Sequence, residues 1–293
     1  MGYLFIFGAL LAGSAKGFFG KRVSFKVETQ KQSTFINAVR MSICVLISLI
    51  AIIPEFVSGN FIIDGKAWLF GTLAGVFVSL FMVTWLLAVR NGAFTLISVA
   101  QTFGVVVTLI CSFIFLHTPI IPKQIFAILV LIVSVLIMGS YSAAIKGRLT
   151  ANTILLLVFC GLSSGLYDFA IKLFTYYSKS SISTLNLISY AIATVVLLGL
   201  FFMPVKNKKQ INATSILRST WVSLVIMSIC LFANSYFKAM ANNYLSPTQV
   251  YPIYQAGGLI YSGIMSAVFF KEKITLKCVL GMALAIIAIL RLK

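Results

Sequence analysis

Almost the whole chain is divided into apolar runs, each about as long as a helix that crosses a bilayer. Ten can be marked: Met1 to Phe19, Phe35 to Ile53, Trp68 to Val89, Phe94 to Leu116, Ile125 to Tyr141, Ile154 to Tyr176, Ile182 to Met203, Trp221 to Ala241, Val250 to Phe270 and Cys278 to Leu290. About 30 Å of hydrocarbon takes roughly 20 residues of helix at about 1.5 Å per residue. Ten such runs joined by short connections leave no space for a separate soluble domain, so the chain reads as an all-α integral membrane protein with ten transmembrane helices. Hydrophobic residues fill 60% of the 293 positions and charged residues 10%, more apolar surface than a soluble core buries. Met1 to Phe19 reads as the first span and not as a cleavable leader, because no basic segment precedes it and Lys21-Arg22 follows directly.

The 23 basic against 5 acidic residues, a net charge of +18, would in a soluble chain suggest nucleic acid. Here the charges sit between apolar runs, so they read as topogenic loop charge and no nucleic-acid partner is expected. Fourteen basic residues fall on the odd-numbered connections and five on the other side, which by positive-inside logic puts both termini outside. The remaining four, Lys16, Arg40, Lys172 and Lys238, lie within spans. Cys44, Cys111, Cys160, Cys230 and Cys278 are widely spaced in apolar runs, which argues for packing and against a disulfide framework or metal site.

The chain also echoes itself. A shift of 153 residues sets Trp68 on Trp221, Ala88 on Ala241, Thr95 on Thr248, Gly104 on Gly257 and Ile121 on Ile274, and a shift of 150 sets Thr34 on Thr184 and Pro54 on Pro204. Identities are sparse, but the order of long loops, short hairpins and spans agrees in both halves. Residues 1–145 and 146–293 are therefore read as two five-helix repeats. Five is odd, so homologous halves enter the membrane in opposite directions, and their pseudo-twofold axis puts a shared cavity near the midplane.

The most informative single stretch is Leu245 to Thr275. It opens with a polar turn, carries Pro252 near its start, holds Tyr251, Tyr254 and Gln255 at membrane depth, and closes on Lys271-Glu272-Lys273. Proline there predicts a kink, and polar groups at that depth are expected to face protein or a cavity. The run Phe269-Phe270-Lys271-Glu272-Lys273-Ile274-Thr275, followed by Gly281, resembles the glycine-glutamate-basic-leucine-threonine ending that the EamA-like branch of the drug/metabolite transporter superfamily places after the fourth helix of a repeat. Gly165-Leu166-Tyr167 with Lys172 closing span six, and Lys21 in the equivalent place in span one, fit the same resemblance. It covers the whole chain, and it implies ten spans in two inverted repeats, transport, and termini in the cytoplasm, opposite to the charge count. The first repeat departs from the pattern, since Leu116-His117-Thr118-Pro119 lacks the acidic residue.

Charges inside spans are costly and so are the first functional candidates. Lys16 and Arg40 lie on the same membrane side, roughly 7 to 9 Å below the connection between their spans, where they can form a cationic pair facing a cavity or snorkel to the interface. Asp168 is the one acid well inside a span. It is read either as salt-bridged to Lys172 or Lys238 or as a protonatable site that couples proton to substrate movement. Lys16, Arg40 and Lys238, with the uncharged Gln101, Tyr167, Tyr190, Asn234, Tyr254 and Gln255, are expected to bind substrate; the 153-residue shift sets Gln101 on Tyr254.

Other signals are discounted. Gly161-Leu162-Ser163-Ser164-Gly165 satisfies GxSxG but lies in an apolar helix of a chain with one histidine, His117, so neither a serine hydrolase nor a histidine metal site is expected. Gly13/Gly17 and Gly71/Gly75 read as architectural GxxxG pairs. The reading is a secondary active transporter, not an enzyme, in the cytoplasmic membrane. It moves a small anionic or zwitterionic metabolite by alternating access, without a cofactor, as a monomer or homodimer. The rivals are a cationic multidrug exporter and a non-transporting scaffold.

Overall fold

A computed structural model of the protein describes residues 1–91, 94–117, 122–146, 151–203, 213–269 and 276–291. They form ten helices: α1 (Gly2–Ser24), α2 (Gln30–Val57), α3 (Gly65–Asn91), α4 (Phe94–Leu116), α5 (Pro122–Lys146), α6 (Ala151–Tyr177), α7 (Ile182–Phe202), α8 (Ala213–Tyr244), α9 (Pro247–Val268) and α10 (Leu276–Arg291). Six of these, α1, α2, α3, α6, α7 and α8, contain described stretches long and apolar enough to cross a bilayer. The chain is an all-helical, multi-pass membrane protein. The charged run 271–273 and the motif residues 270–275 lie outside the described residues, as do Thr118, Pro119 and Ile121.

Helix ends follow local chemistry. The Thr29 side chain accepts from the Gln32 N–H, and the Gln32 side chain accepts from the Thr29 N–H, a reciprocal cap that starts α2 five residues before the apolar run begins. Ser181 caps α7 through the Thr184 N–H. Pro247 opens α9 in the first turn, where a missing N–H costs nothing, and the helix continues through Pro252.

Large apolar side chains such as Leu46, Ile50, Phe115, Leu136 and Val195 stay more than half exposed, as expected of a face turned to lipid. The interior instead holds small and hydroxyl residues that let backbones approach. A side-chain carbon on Gly75 would stand 2.6 Å from the Ser189 carbonyl, so α3 and α7 touch backbone to backbone. A carbon on Gly104 would stand 2.6 Å from the Gly161 carbonyl and 2.9 Å from the Gly165 nitrogen. Thr108 in the same seam donates to the Gly165 carbonyl at 2.8 Å. At these positions glycine is required by the crossing of α4 over α6.

Helix neighbours repeat when each helix number is raised by five. α1 packs on α8 as α6 packs on α3; α2 on α8 as α7 on α3; α4 on α6 as α9 on α1; α4 on α5 as α9 on α10. The pairs α2·α7, α4·α9 and α5·α10 map onto themselves. Trp68 near the start of α3 is 54% exposed and Trp221 near the start of α8 is 48% exposed. That half-exposure suits a tryptophan in the interfacial belt.

Candidate functional site

Six helices contribute to one central cavity. Gly13, Ser14 and Lys16 come from α1; Phe81, Met82 and Trp85 from α3; Gln101 from α4; Ser164 and Tyr167 from α6; Asn234 and Lys238 from α8; Tyr254, Gln255, Tyr261 and Ser262 from α9. Three of these helices belong to each half of the chain, so the cavity lies between the halves.

Lys16 lies with its Nζ 5.8 Å from the centre of the Phe81 ring. Among the described residues no carboxylate or hydrogen-bond acceptor meets it. Lys238 differs: its ammonium forms an ion pair with Asp168 of α6, with both side chains buried. The same Nζ lies 5.4 Å from the Tyr167 ring centre and 5.1 Å from that of Tyr254, so π faces flank a cation whose charge is already matched.

The walls are fixed by hydrogen bonds that leave the cavity and end in neighbouring helices. Asn234 Nδ2 donates to the Ala9 carbonyl at 2.7 Å and to the Tyr254 hydroxyl at 2.8 Å. Tyr167 donates to Ser235 at 3.0 Å, and Ser235 donates to Asn186 Oδ1 at 2.7 Å, which ties the wall to α7. Behind Asp168 the Tyr251 hydroxyl donates to the Asp168 carbonyl at 2.6 Å and accepts from Asn242 at 2.9 Å, while Lys172 Nζ donates to the Asn242 carbonyl at 3.0 Å. Lys172 thus serves α8 and leaves Asp168 to Lys238.

Of the residues singled out from the sequence, Lys16, Gln101, Tyr167, Asn234, Lys238, Tyr254 and Gln255 line the cavity. Arg40 and Tyr190 are placed behind its wall. Arg40 is fully buried, and its guanidinium meets Met82 Sδ at 3.2 Å and the Met227 carbonyl at 3.5 Å, with Nε unpartnered. Met82 stands between it and the cavity, so the expected Lys16–Arg40 pair reaches the cavity through Lys16 alone. Tyr190 is also fully buried and donates to the Leu231 carbonyl at 3.4 Å. Arg40, Asp168 and Gln255 are 0%, 2% and 7% exposed, so none faces lipid.

Sequence reasoning left out Ser14, Phe81, Ser164, Tyr261 and Ser262. Hydroxyls and aromatics are too common in spans to stand out. A clearer signal was Gly13, read as a packing glycine: a side-chain carbon there would stand 2.5 Å from the Tyr254 hydroxyl and 2.9 Å from Asn234 Nδ2. It keeps space at the cavity wall.

If each helix crosses the membrane, the α2–α3 and α6–α7 connections share one face with the termini, and there Asp64 joins them. Its carboxylate accepts from the Ala67 N–H at 2.6 Å, the Ser178 hydroxyl at 2.8 Å, the Lys179 N–H at 3.0 Å and the Ser180 hydroxyl at 3.3 Å. Burial alone would push this carboxyl up, but the donors from Lys179, Ser178, Ala67 and Ser180 outweigh it and hold Asp64 below the usual carboxylate range.

The model of the EamA-like transporter family matches the chain twice, over residues 1–140 and 151–292. No curated protein matches. A solved structure titled only "Crystal structure of protein" is similar in fold, with a TM-score of 0.72 at 14% identity over 99% of this chain and 95% of that one.

Proposed function

Because the chain belongs to the EamA-like transporter family, we propose that its central cavity carries a small anionic or zwitterionic metabolite across the cytoplasmic membrane by secondary active, alternating-access transport. Lys16 carries this reading. An ammonium that lines the cavity beside the Phe81 ring, with no carboxylate in contact among the described residues, suits a solute that brings an anionic group. A cationic drug would meet the Lys16 charge in the same space and be repelled, since the charge of Lys238 is matched by Asp168.

The remaining roles follow from the contacts. The Tyr254 hydroxyl accepts from Asn234, which leaves its own hydrogen for the solute, and Gln101 and Gln255 offer neutral donors and acceptors to its polar end. A solute anion that reaches Lys238 competes with Asp168 for the same ammonium. Its arrival loosens the pair between α6 and α8 and frees Asp168 to take a proton, which couples solute to proton movement. Two oppositely inserted units, residues 1–145 and 146–293, perform the alternation. The exchange of helix neighbours between halves and the belt tryptophans at the starts of α3 and α8 support that arrangement. On this reading Asp64 and the Tyr251–Asn242–Lys172 network close the terminal face, and the cavity is offered to the opposite one.

Counterflow of a radiolabelled solute pool into proteoliposomes tests transport and finds the solute together. Acidic or zwitterionic solutes are expected to accumulate. Lys16→Gln then raises their apparent KM roughly tenfold or more, the weight of one charge-assisted hydrogen bond. Accumulation of neutral and cationic solutes alone, or an equal KM rise for neutral solutes, overturns the assignment.

A further inference from the structure

Away from the central cavity, a second pocket lies where the α1–α2 connection meets the start of α8, lined by Arg22, Phe25, Lys26, Ser219, Thr220 and Ser223 among others. We infer that this pocket binds the phosphate of an anionic phospholipid headgroup and that the lipid bridges the two halves of the protein on the face opposite the termini.

Charge comes first. No carboxylate lines the pocket among the described residues, while Arg22 and Lys26 both do. The Arg22 guanidinium lies 5.1 Å from the Phe18 ring centre, and Lys26 spends one hydrogen bond on the Ser219 carbonyl at 3.1 Å. Ser219 and Thr220 donate to the Ile216 carbonyl, so among the described residues the Ser223 hydroxyl and the Arg22 guanidinium are the lining donors left for a phosphate.

Depth comes second. Trp221, half exposed between these hydroxyl residues, marks the headgroup level of the bilayer, and Phe25, 66% exposed, offers an apolar flank for acyl chains. A basic pocket between spans at this level is where phospholipid phosphates are held.

The other half of the molecule gives the third argument. Raising element numbers by five turns the α1–α2 connection against α8 into the α6–α7 connection against α3, and an offset of 153 sets Lys26 on Lys179. In that equivalent notch the protein supplies its own anion, the Asp64 carboxylate, which accepts from the Ser178 and Ser180 hydroxyls and from the Lys179 backbone N–H. On the Lys26 side the ammonium donates to the Ser219 carbonyl, and no carboxylate stands among the described lining residues to play the part of Asp64.

Native mass spectrometry of the full chain, loaded with phosphatidylglycerol or phosphatidylcholine, tests this. Wild type should retain phosphatidylglycerol preferentially. The double variant Arg22→Gln/Lys26→Gln should lose that preference on the order of tenfold, Arg22→Lys/Lys26→Arg should keep it, and Lys66→Gln/Lys123→Gln on the other face should not change it. Equal retention of the two lipids by wild type, or an unchanged preference in Arg22→Gln/Lys26→Gln, overturns the inference. Displacement of the lipid by millimolar inorganic phosphate also overturns it, in favour of a soluble phosphate site.

Discussion

At the scale of single residues, the buried cations divide by what answers their charge. Lys238 has Asp168, Lys172 has a backbone carbonyl, Arg40 has a thioether, a carbonyl and an orphaned Nε, and Lys16 has an aromatic face. Removing one member of a buried ion pair strands the other, at a cost of about 3–5 kcal/mol. Asp168→Asn should therefore lower the thermal unfolding midpoint measured in micelles, and Asp168→Asn/Lys238→Gln should recover part of the loss. If the single variant also transports with unchanged dependence on a proton gradient, Asp168 plays no part in coupling. Arg40→Ala is expected to behave differently from Lys16→Gln. Set behind Met82, Arg40 should affect stability and change the apparent KM of acidic and neutral solutes alike, and a loss confined to acidic solutes would put it in contact with substrate.

At the scale of helices, backbone crossings and a clasp at Asp64 hold the fold together. A side chain at Gly165 would meet the backbone of Gly104, which cannot move aside as a flexible side chain can. Gly165→Val should cost about 3 kcal/mol or prevent folding, whereas Gly199→Val, with nothing within 4 Å of the added carbon, should be near neutral. Thermal unfolding of the two variants side by side separates a crossing effect from a general intolerance of valine. The clasp has a pH sign. Asp64 is held below the usual carboxylate range, so its contribution is complete above the unfolded value, about 3.9, and is lost as pH falls through the lower folded value. Hydrogen exchange in the α6–α7 connection should accelerate at the acid end in wild type. In Asp64→Asn it should be fast at every pH, and a wild-type profile in that variant would mean that the clasp holds nothing.

At the scale of the whole molecule, what could be read in the sequence and what could not have one physical cause. In lipid, length and apolarity alone mark a span, so all ten helices were legible, and the start of α2 was missed because a polar cap lies outside the apolar run. A charge within a span is legible as something that avoids lipid, which is how Lys16, Lys238 and Asp168 were found. The sequence does not say which interior such a residue faces. Arg40 and Tyr190 avoid lipid by entering the packed seam of α2, α3, α7 and α8, and Lys16 avoids it by entering the cavity. Helices apolar on every side carry no stripe that tells these fates apart, and Gly13 shows the same ambiguity in reverse, a small residue that makes room at the cavity wall.

The claim on which the rest depends is that one cavity between the halves is offered to each face of the membrane in turn. Ser14 lines that cavity, and a cysteine placed there can be probed from either side of oriented vesicles with a membrane-impermeant thiol reagent, against the unsubstituted chain as background. Ser14→Cys should react from the face opposite the termini, and adding Asp64→Asn, which opens the clasp, should bring reactivity from the terminal face. Labelling from the terminal face with the clasp intact, or a labelled face that Asp64→Asn leaves unchanged, would contradict it.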